Sequence, residues 1–288
     1  MSSSPSTSKA SPGPAPWRAP FLKNVTDMAS PEFNLATIHS SSSSSSASSS
    51  LTPRLRTVIF RGLWASLPVN PKNTADLNPP LYESDLLTLT TDARMAKVPD
   101  FLTNGKDSPQ KSGGGGPVEA CFWTDAKVQW RIRGEAYLLG PDIDASTALR
   151  SHLLARMRSV TPADAKRRRE EDIPEDWSFS REITAHFGNL SPMMRGTFRN
   201  PEPGTSRAAN PPTDTLKLGQ KVEDLEDEVA RENFRVVVVV PTEVDQTDLS
   251  DSEDPRRYLY RFVGAEAEAE AEGGAERVNG WEKTELWP

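Results

Sequence analysis

Cysteine is almost missing from this chain. Cys121 stands alone among 288 residues, so no disulfide can form within the molecule, and a reducing, intracellular setting fits. It lies in the apolar run "VEACFW" with no Cys or His nearby, which reads as a packed thiol rather than a nucleophile. Histidine is scarce too: His39, His152 and His186 show no ligand spacing, so no metal site is expected. No apolar run approaches the ~18 to 20 residues of a membrane span. The start, "MSSSPSTSKASPGPAP", lacks an apolar stretch, so a secretory signal is not expected and a cytoplasmic location is. Basic excess is missing as well. With 34 Lys and Arg against 41 Asp and Glu, the net charge of -7 argues against broad nucleic-acid binding. The basic run "KRRREED" (166–172) is followed by acids and reads as a solvated charge run.

Hydrophobic residues make up only 35% of the chain, depressed by 25 prolines and long serine runs. An ordered core diluted by insertions is the expectation. Residues 1–14 read as a disordered tail and 15–288 as one domain, with low-complexity insertions at 40–50, 104–116, 200–213 and 264–276. Strands are expected at 55–61, 85–90, 118–123, 128–139, 234–240, 256–262 and 280–287, where β-branched and aromatic residues lie between Gly, Pro and Asp. Helices are expected at 93–102, 144–160, 177–188 and 217–231, the second with Leu149, Leu153 and Met157 on one face. The layout is α+β and mainly β, a barrel or sheet with a few packed helices.

Four stretches carry chemistry. "RTVIFRG" puts Arg56, Val58 and Phe60 on one strand face and Thr57, Ile59 and Arg61 on the other. This is either an edge strand with two solvated arginines or an anion site, where guanidinium forks take phosphate and Gly62 admits a ligand to the backbone. A bulge or the twist at Gly62 would bring Arg61 round to the face of Arg56. "TLTTDARMAK" (88–97) places Thr90 and Thr91 at a strand end, with Asp92 capping a helix on which Arg94 and Lys97 share a face. "KVQWRIRGEA" puts Gln129, Arg131 and Arg133 on one face. "DPRRYLYRF" alternates Arg257, Leu259 and Arg261 with tyrosines. Taken singly, the last three read equally well as a capped surface helix and two exposed strands.

The ordered set RxVxFRG, TDxRxxK, QWxIxG and RRYLY, closing on "GWEKTELWP", resembles the pyridoxamine 5'-phosphate oxidase-like FMN-binding split-barrel proteins, in their pyridoxamine 5'-phosphate oxidase-related branch. "APWR" and "NLSPMMRGTFRNPEPG" (189–204) resemble that branch too. The resemblance implies an FMN-binding split barrel and a homodimer with FMN at its interface. It implies that Arg56 and Arg61 frame the FMN phosphate and that Thr57, Val58 and Ile59 run along the flavin. Thr90, Thr91, Arg94 and Lys97 complete the phosphate side, while Gln129 and Arg257 meet the ring. The B6-binding half departs from the oxidase proper. Its Arg-x-His positions fall on Glu253 and Pro255, and no tyrosine occurs between Tyr137 and Tyr258. The reading is an FMN-dependent oxidoreductase of unknown substrate and unassigned catalytic residues. The alternatives are a non-catalytic flavin or anion binder, and a B6 oxidase drawing on Arg150 or Arg195.

Overall fold

The computed structural model describes residues 13–42, 49–103, 108–160, 176–211, 220–264 and 275–288. The tail at 1–12, the basic run 166–172 and parts of all four insertions lie outside the described residues.

The run "FRVVVVV" organises the molecule. It begins β8 (Phe234–Asp248), a strand of 15 residues. Val237 and Val239 point into one apolar core, while Val236, Val238 and Val240 point into another. Burial on both faces explains why the run shows no polar alternation. The first core gathers Phe21, Phe60, Phe122 and Trp130 inside the barrel, and the second packs Trp64, Phe179, Phe187 and Phe198 outside it. Each such aromatic contributes about 1.5–3 kcal/mol by leaving water.

Around β8 lie β1 (Glu32–Ser42), β2 (Ser49–Ile59), β3 (Tyr82–Ser84), β4 (Leu87–Asp92), β5 (Gly113–Trp123), β6 (Val128–Leu139) and β7 (Met157–Ser159). After it come β9 (Arg256–Phe262), β10 (Glu276–Val278) and β11 (Trp281–Leu286). The antiparallel order is β10-β11-β9-β8-β6-β5-β1-β2, with β4 also paired to β8, and β3 pairs with β7 apart. The ladder does not close. β2 ends at Ile59, and residues 61–63 carry the chain across to β4. There Arg61 N–H donates to Thr88 O (2.8 Å) and Thr88 N–H donates to Gly62 O (2.9 Å). Two residues thus oppose one, a β-bulge. Gly62 supports it at φ 109°, where a Cβ would lie 2.3 Å from Pro68 Cδ.

Helix α1 (Arg18–Thr26) lays Phe21 and Val25 on the barrel core. α2 (Thr147–Leu154), α3 (Phe179–Asn189) and α5 (Glu228–Asn233) cover the second core, and the short α4 (Pro192–Gly196) lies between its members Leu190 and Phe198. No helix among the described residues is long and apolar enough to cross a membrane.

Several expectations are corrected. Residues 93–102 are not a helix: Ala93 N–H bonds Asn233 O, and Pro99 starts only a 3-10 turn at Val98–Phe101. Helix 144–160 shrinks to α2, since Met157 belongs to β7 beside Ser84. Helix 217–231 shrinks to α5, capped by Asp227. The serine stretch is not purely a linker, for Ser40–Ser42 and Ser49–Ser50 extend the β1–β2 hairpin. The insertion at 104–116 ends inside β5, and that at 264–276 ends in β10, folded back by a turn with positive φ at Asn279 and Gly280.

Candidate functional site

The bulge turns Arg61 out of the β2 pattern. Its side chain heads a cavity of about 460 Å³, beside Thr90, Thr91 and Asp92 of β4. Met95 and the segment around α4, including Met194, Phe198 and Asn200, form the other walls. Arg61 is half-buried, and its Nε is buried without a hydrogen-bond partner. Among the described residues no carboxylate pairs with it. Burial pushes its pKa down, yet a guanidinium stays charged. An unpaired cation out of water is costly unless an anion joins it.

Lys97 and the exposed Arg207, which also lines the cavity, are further cations of this region without a carboxylate in contact among the described residues. Among the described residues the Lys97 ammonium bonds the sulfur of Met95, which also accepts from Thr91 Oγ1 at 3.5 Å. Burial first, then repulsion from Arg56, pushes the Lys97 pKa down to about 8, with Asp92 opposing. Arg56 is less free. It donates to Thr37 Oγ1 (2.7 Å) and Leu35 O (3.1 Å) and stands 3.5 Å from the buried carboxylate of Asp100. Thr37 and His39 also bond Asp100, at 2.6 and 2.7 Å.

Arg94 faces its own fold. It clamps Asp92 at 2.7 and 2.9 Å and donates to Asn200 O at 3.0 Å. Those bonds raise its pKa and hold the 198–200 segment over β4. Arg94 therefore shapes the cavity wall. His186, wholly buried and stacked on Trp64, is held neutral, its pKa lowered to about 3 by burial and then by the charge of Arg61.

The remaining expected residues lie elsewhere. Directly opposed residues share a sheet face. Thr57 opposes Asn34, which opposes Cys121, then Arg131, then Asp245. The next row runs Trp123, Gln129, Thr247, Arg257. Thr57, Gln129 and Arg257 therefore share the outward face, with Ile59 also directed that way, while Val58 packs on the barrel core. Thr90 opposes Val236 and Arg257 opposes Thr247. Eleven residues of β8 separate those positions, about 35 Å of strand at roughly 3.3 Å per residue. One copy thus brings Arg61, Thr90 and Thr91 together, with Lys97 adjacent, and leaves Gln129 and Arg257 on a different face.

The walls supplied by Met95, Met194, Phe198 and Asn200 were not expected. The sequence signal for the last three was present in "NLSPMMRGTFRNPEPG", where Ser191 caps α4 by accepting from Met194 N–H and Pro192 occupies the first turn. Among the described residues no cluster of His, Cys, Asp or Glu could hold a metal.

An open, antiparallel barrel with an unpaired arginine heading a cavity is the arrangement of a split-barrel fold. Residues 14–140 match the family described as pyridoxamine 5'-phosphate oxidase, FMN-binding domain. A pyridoxamine 5'-phosphate oxidase-related, FMN binding protein from Nostoc punctiforme PCC 73102 is similar in structure. It is 19% identical, with a TM-score of 0.50, and the match covers 95% of this chain and 98% of that one. PhzG from Burkholderia lata 383, solved with tetrahydrophenazine-1-carboxylic acid, is 13% identical, with a TM-score of 0.39 over 89% of this chain and 81% of that one. No curated protein matches the chain. At these identities the first likeness establishes the fold.

Proposed function

We propose that this chain is an FMN-dependent oxidoreductase that works as a homodimer. The observation that carries the reading is Arg61, an unpaired guanidinium heading a cavity beside two threonine hydroxyls, inside the segment that matches the FMN-binding family. Arg61 takes the FMN phosphate, assisted by Thr90 and Thr91, with Lys97 adding charge and Arg56 approaching from β2. A phosphomonoester carries about -1.5 to -2 charges, so two or more cations suit it. Bound flavin supplies two-electron chemistry, while the protein binds, orients and shields it.

Gln129 and Arg257 serve the ring from a second copy, because they lie on the outward face and far along β8 from Thr90. Gln129 is half-buried, and its amide makes no hydrogen bond among the described residues, so it is available to a ring edge.

A specific observation favours flavin holding without turnover as the second reading. Of the two carboxylates lining the cavity, Asp92 is clamped by Arg94 and Glu202 is exposed, and His186 is held neutral in the core, so no buried acid or base stands ready. For a B6 oxidase, Arg195 sits in α4 next to the cavity-lining Met194, while α2, which carries Arg150, contributes no residue to the cavity.

The visible spectrum of purified, desalted protein, before and after adding FMN, tests the reading. A retained flavin band bleached by NAD(P)H supports the oxidoreductase. A retained band that no donor bleaches moves the assignment to a flavin holder. Formation of pyridoxal phosphate from pyridoxamine phosphate identifies the B6 activity. A protein that stays colourless in excess FMN overturns all three.

A further inference from the structure

Arg61 also borders a second cavity, of about 490 Å³, between α1 and the 60–68 segment. It is within the size range of small-molecule pockets. Its body is apolar: Leu22 and Val25 of α1 face Phe60 and Leu63, with Met28 between. Among the described residues the ionisable groups on its walls are Arg18 and Arg61. Arg18 is neutralised by Asp85 at 3.1 Å and Glu83 at 3.6 Å. Arg61 has no such partner. Asn189 is engaged as well, accepting from Asn70 and Asn73 and donating to Pro68 O. The uncommitted polar groups are therefore the Arg61 guanidinium (the one unpaired charge), the Nε of the charge-neutralised Arg18, and the hydroxyls of Thr26 and Ser66.

We propose that this second cavity is a binding site for a small, apolar-bodied monoanion, a carboxylate or sulfonate, whose charged end meets Arg61 from the side opposite the first cavity. The guanidinium fork has five N–H donors, enough to meet one anion on each side. A single unpaired charge suits a monoanion, and the aliphatic and aromatic walls reject a fully hydrated ligand. The site follows from the geometry of the cavity whatever fills the first one.

The test uses the full chain without added FMN, in which the Arg61 charge is unneutralised, and two fluorescent probes: anilinonaphthalene sulfonate and its uncharged phenylnaphthylamine counterpart. One saturable site per chain is expected for each. Leu22→Trp fills the cavity from α1 and Thr26→Leu narrows it. Both should abolish or strongly weaken both probes while the affinity for FMN, titrated separately, is unchanged. Met194→Trp, which fills the first cavity, should leave probe binding intact. Arg61→Gln should weaken the sulfonate about tenfold, the loss of one charge-assisted contact, and the neutral probe less than twofold. Undiminished binding in both α1 variants overturns the proposal, as does loss in Met194→Trp instead, or equal loss of both probes in Arg61→Gln. A chain that binds the sulfonate in this way but never binds FMN sustains this site and overturns the function proposed above.

Discussion

Two sets of arginines on the same sheet behave in opposite ways. On the outward face every expected cation is zipped to a carboxylate. Arg131 and Arg257 converge on Asp245, Arg133 bonds Glu119 and Glu243 at 2.8 Å, and Arg261 bonds Glu243 at 3.1 Å. At the β2–β4 junction Arg61 and Lys97 have no such partner. The sequence motifs of the two regions look alike, alternating cations among apolar residues. The difference lies in what stands opposite. Acids at 243 and 245 on β8 neutralise one set, whereas the other meets Thr88, Thr90 and Thr91 on β4. Satisfied cations organise a surface, and unsatisfied ones mark where an anion belongs.

The strongest way to break that contrast is to remove the unpaired charge. The Arg56→Ala/Arg61→Ala double variant should lose FMN on desalting while keeping its circular dichroism. Arg61→Ala alone should weaken FMN about 10- to 100-fold, the worth of one charge-assisted contact at 1.5–3 kcal/mol. Arg56→Ala should act differently. It leaves the buried Asp100 with only Thr37 and His39, so a loss of about 1–3 kcal/mol in urea unfolding is expected alongside a smaller effect on FMN. A double variant that keeps its yellow colour removes the basis for placing the phosphate here.

The outward face gives the next largest effect. Burial raises the Asp245 pKa, but the hydrogen bond from Arg257 and the charge of Arg131 outweigh it, so the carboxyl titrates below its usual range. A depressed carboxyl stabilises the fold above its unfolded pKa of about 3.9, and that stability disappears as pH falls through the folded value. Asp245→Asn should therefore cost about 1–2 kcal/mol near neutrality and flatten the acid limb of the stability curve. Thermal melts of both proteins from pH 7 down to pH 3 check this. Parallel acid limbs would show that the zipped face contributes nothing beyond geometry.

Much of the fold could be read from the residues, and the failures share a cause. β6, β9 and the doubly buried start of β8 carry β-branched and aromatic runs that make their own case. β1 was missed because "EFNLATIHSSS" hides a clean alternation of Phe33, Leu35 and Thr37 behind serines, and pairing with β2 overrides their weak propensity. "ARMAKVPDF" looked helical, but Asp92 still belongs to β4 and Ala93 is drawn to Asn233, a partner 140 positions away. The site divided in the same manner. The arginine pair and the two threonines were visible as residue types. That Arg61 is free, Arg56 half-engaged and Arg94 fully engaged depends on Asp100, Asp92 and Asn200, whose positions no spacing reveals.

The smallest effect sharpens the contrast within the unpaired set itself. Lys97, unlike Arg61, can lose its charge, and its pKa of about 8 puts that loss near neutrality. Two consequences run in opposite directions. Between about pH 8 and its unfolded value near 10.5, the unfolded chain binds more protons at this residue than the folded one, so its contribution to stability rises with pH. Over pH 7 to 9 the site loses a positive charge, so FMN affinity should fall a few-fold. Lys97→Gln should start with the lower affinity and show a flatter pH profile. Flavin-fluorescence titrations at pH 7, 8 and 9 compare the two. Identical slopes would mean that Lys97 does not see the phosphate, leaving Arg61, with Arg56 behind it, to hold it from β2–β4.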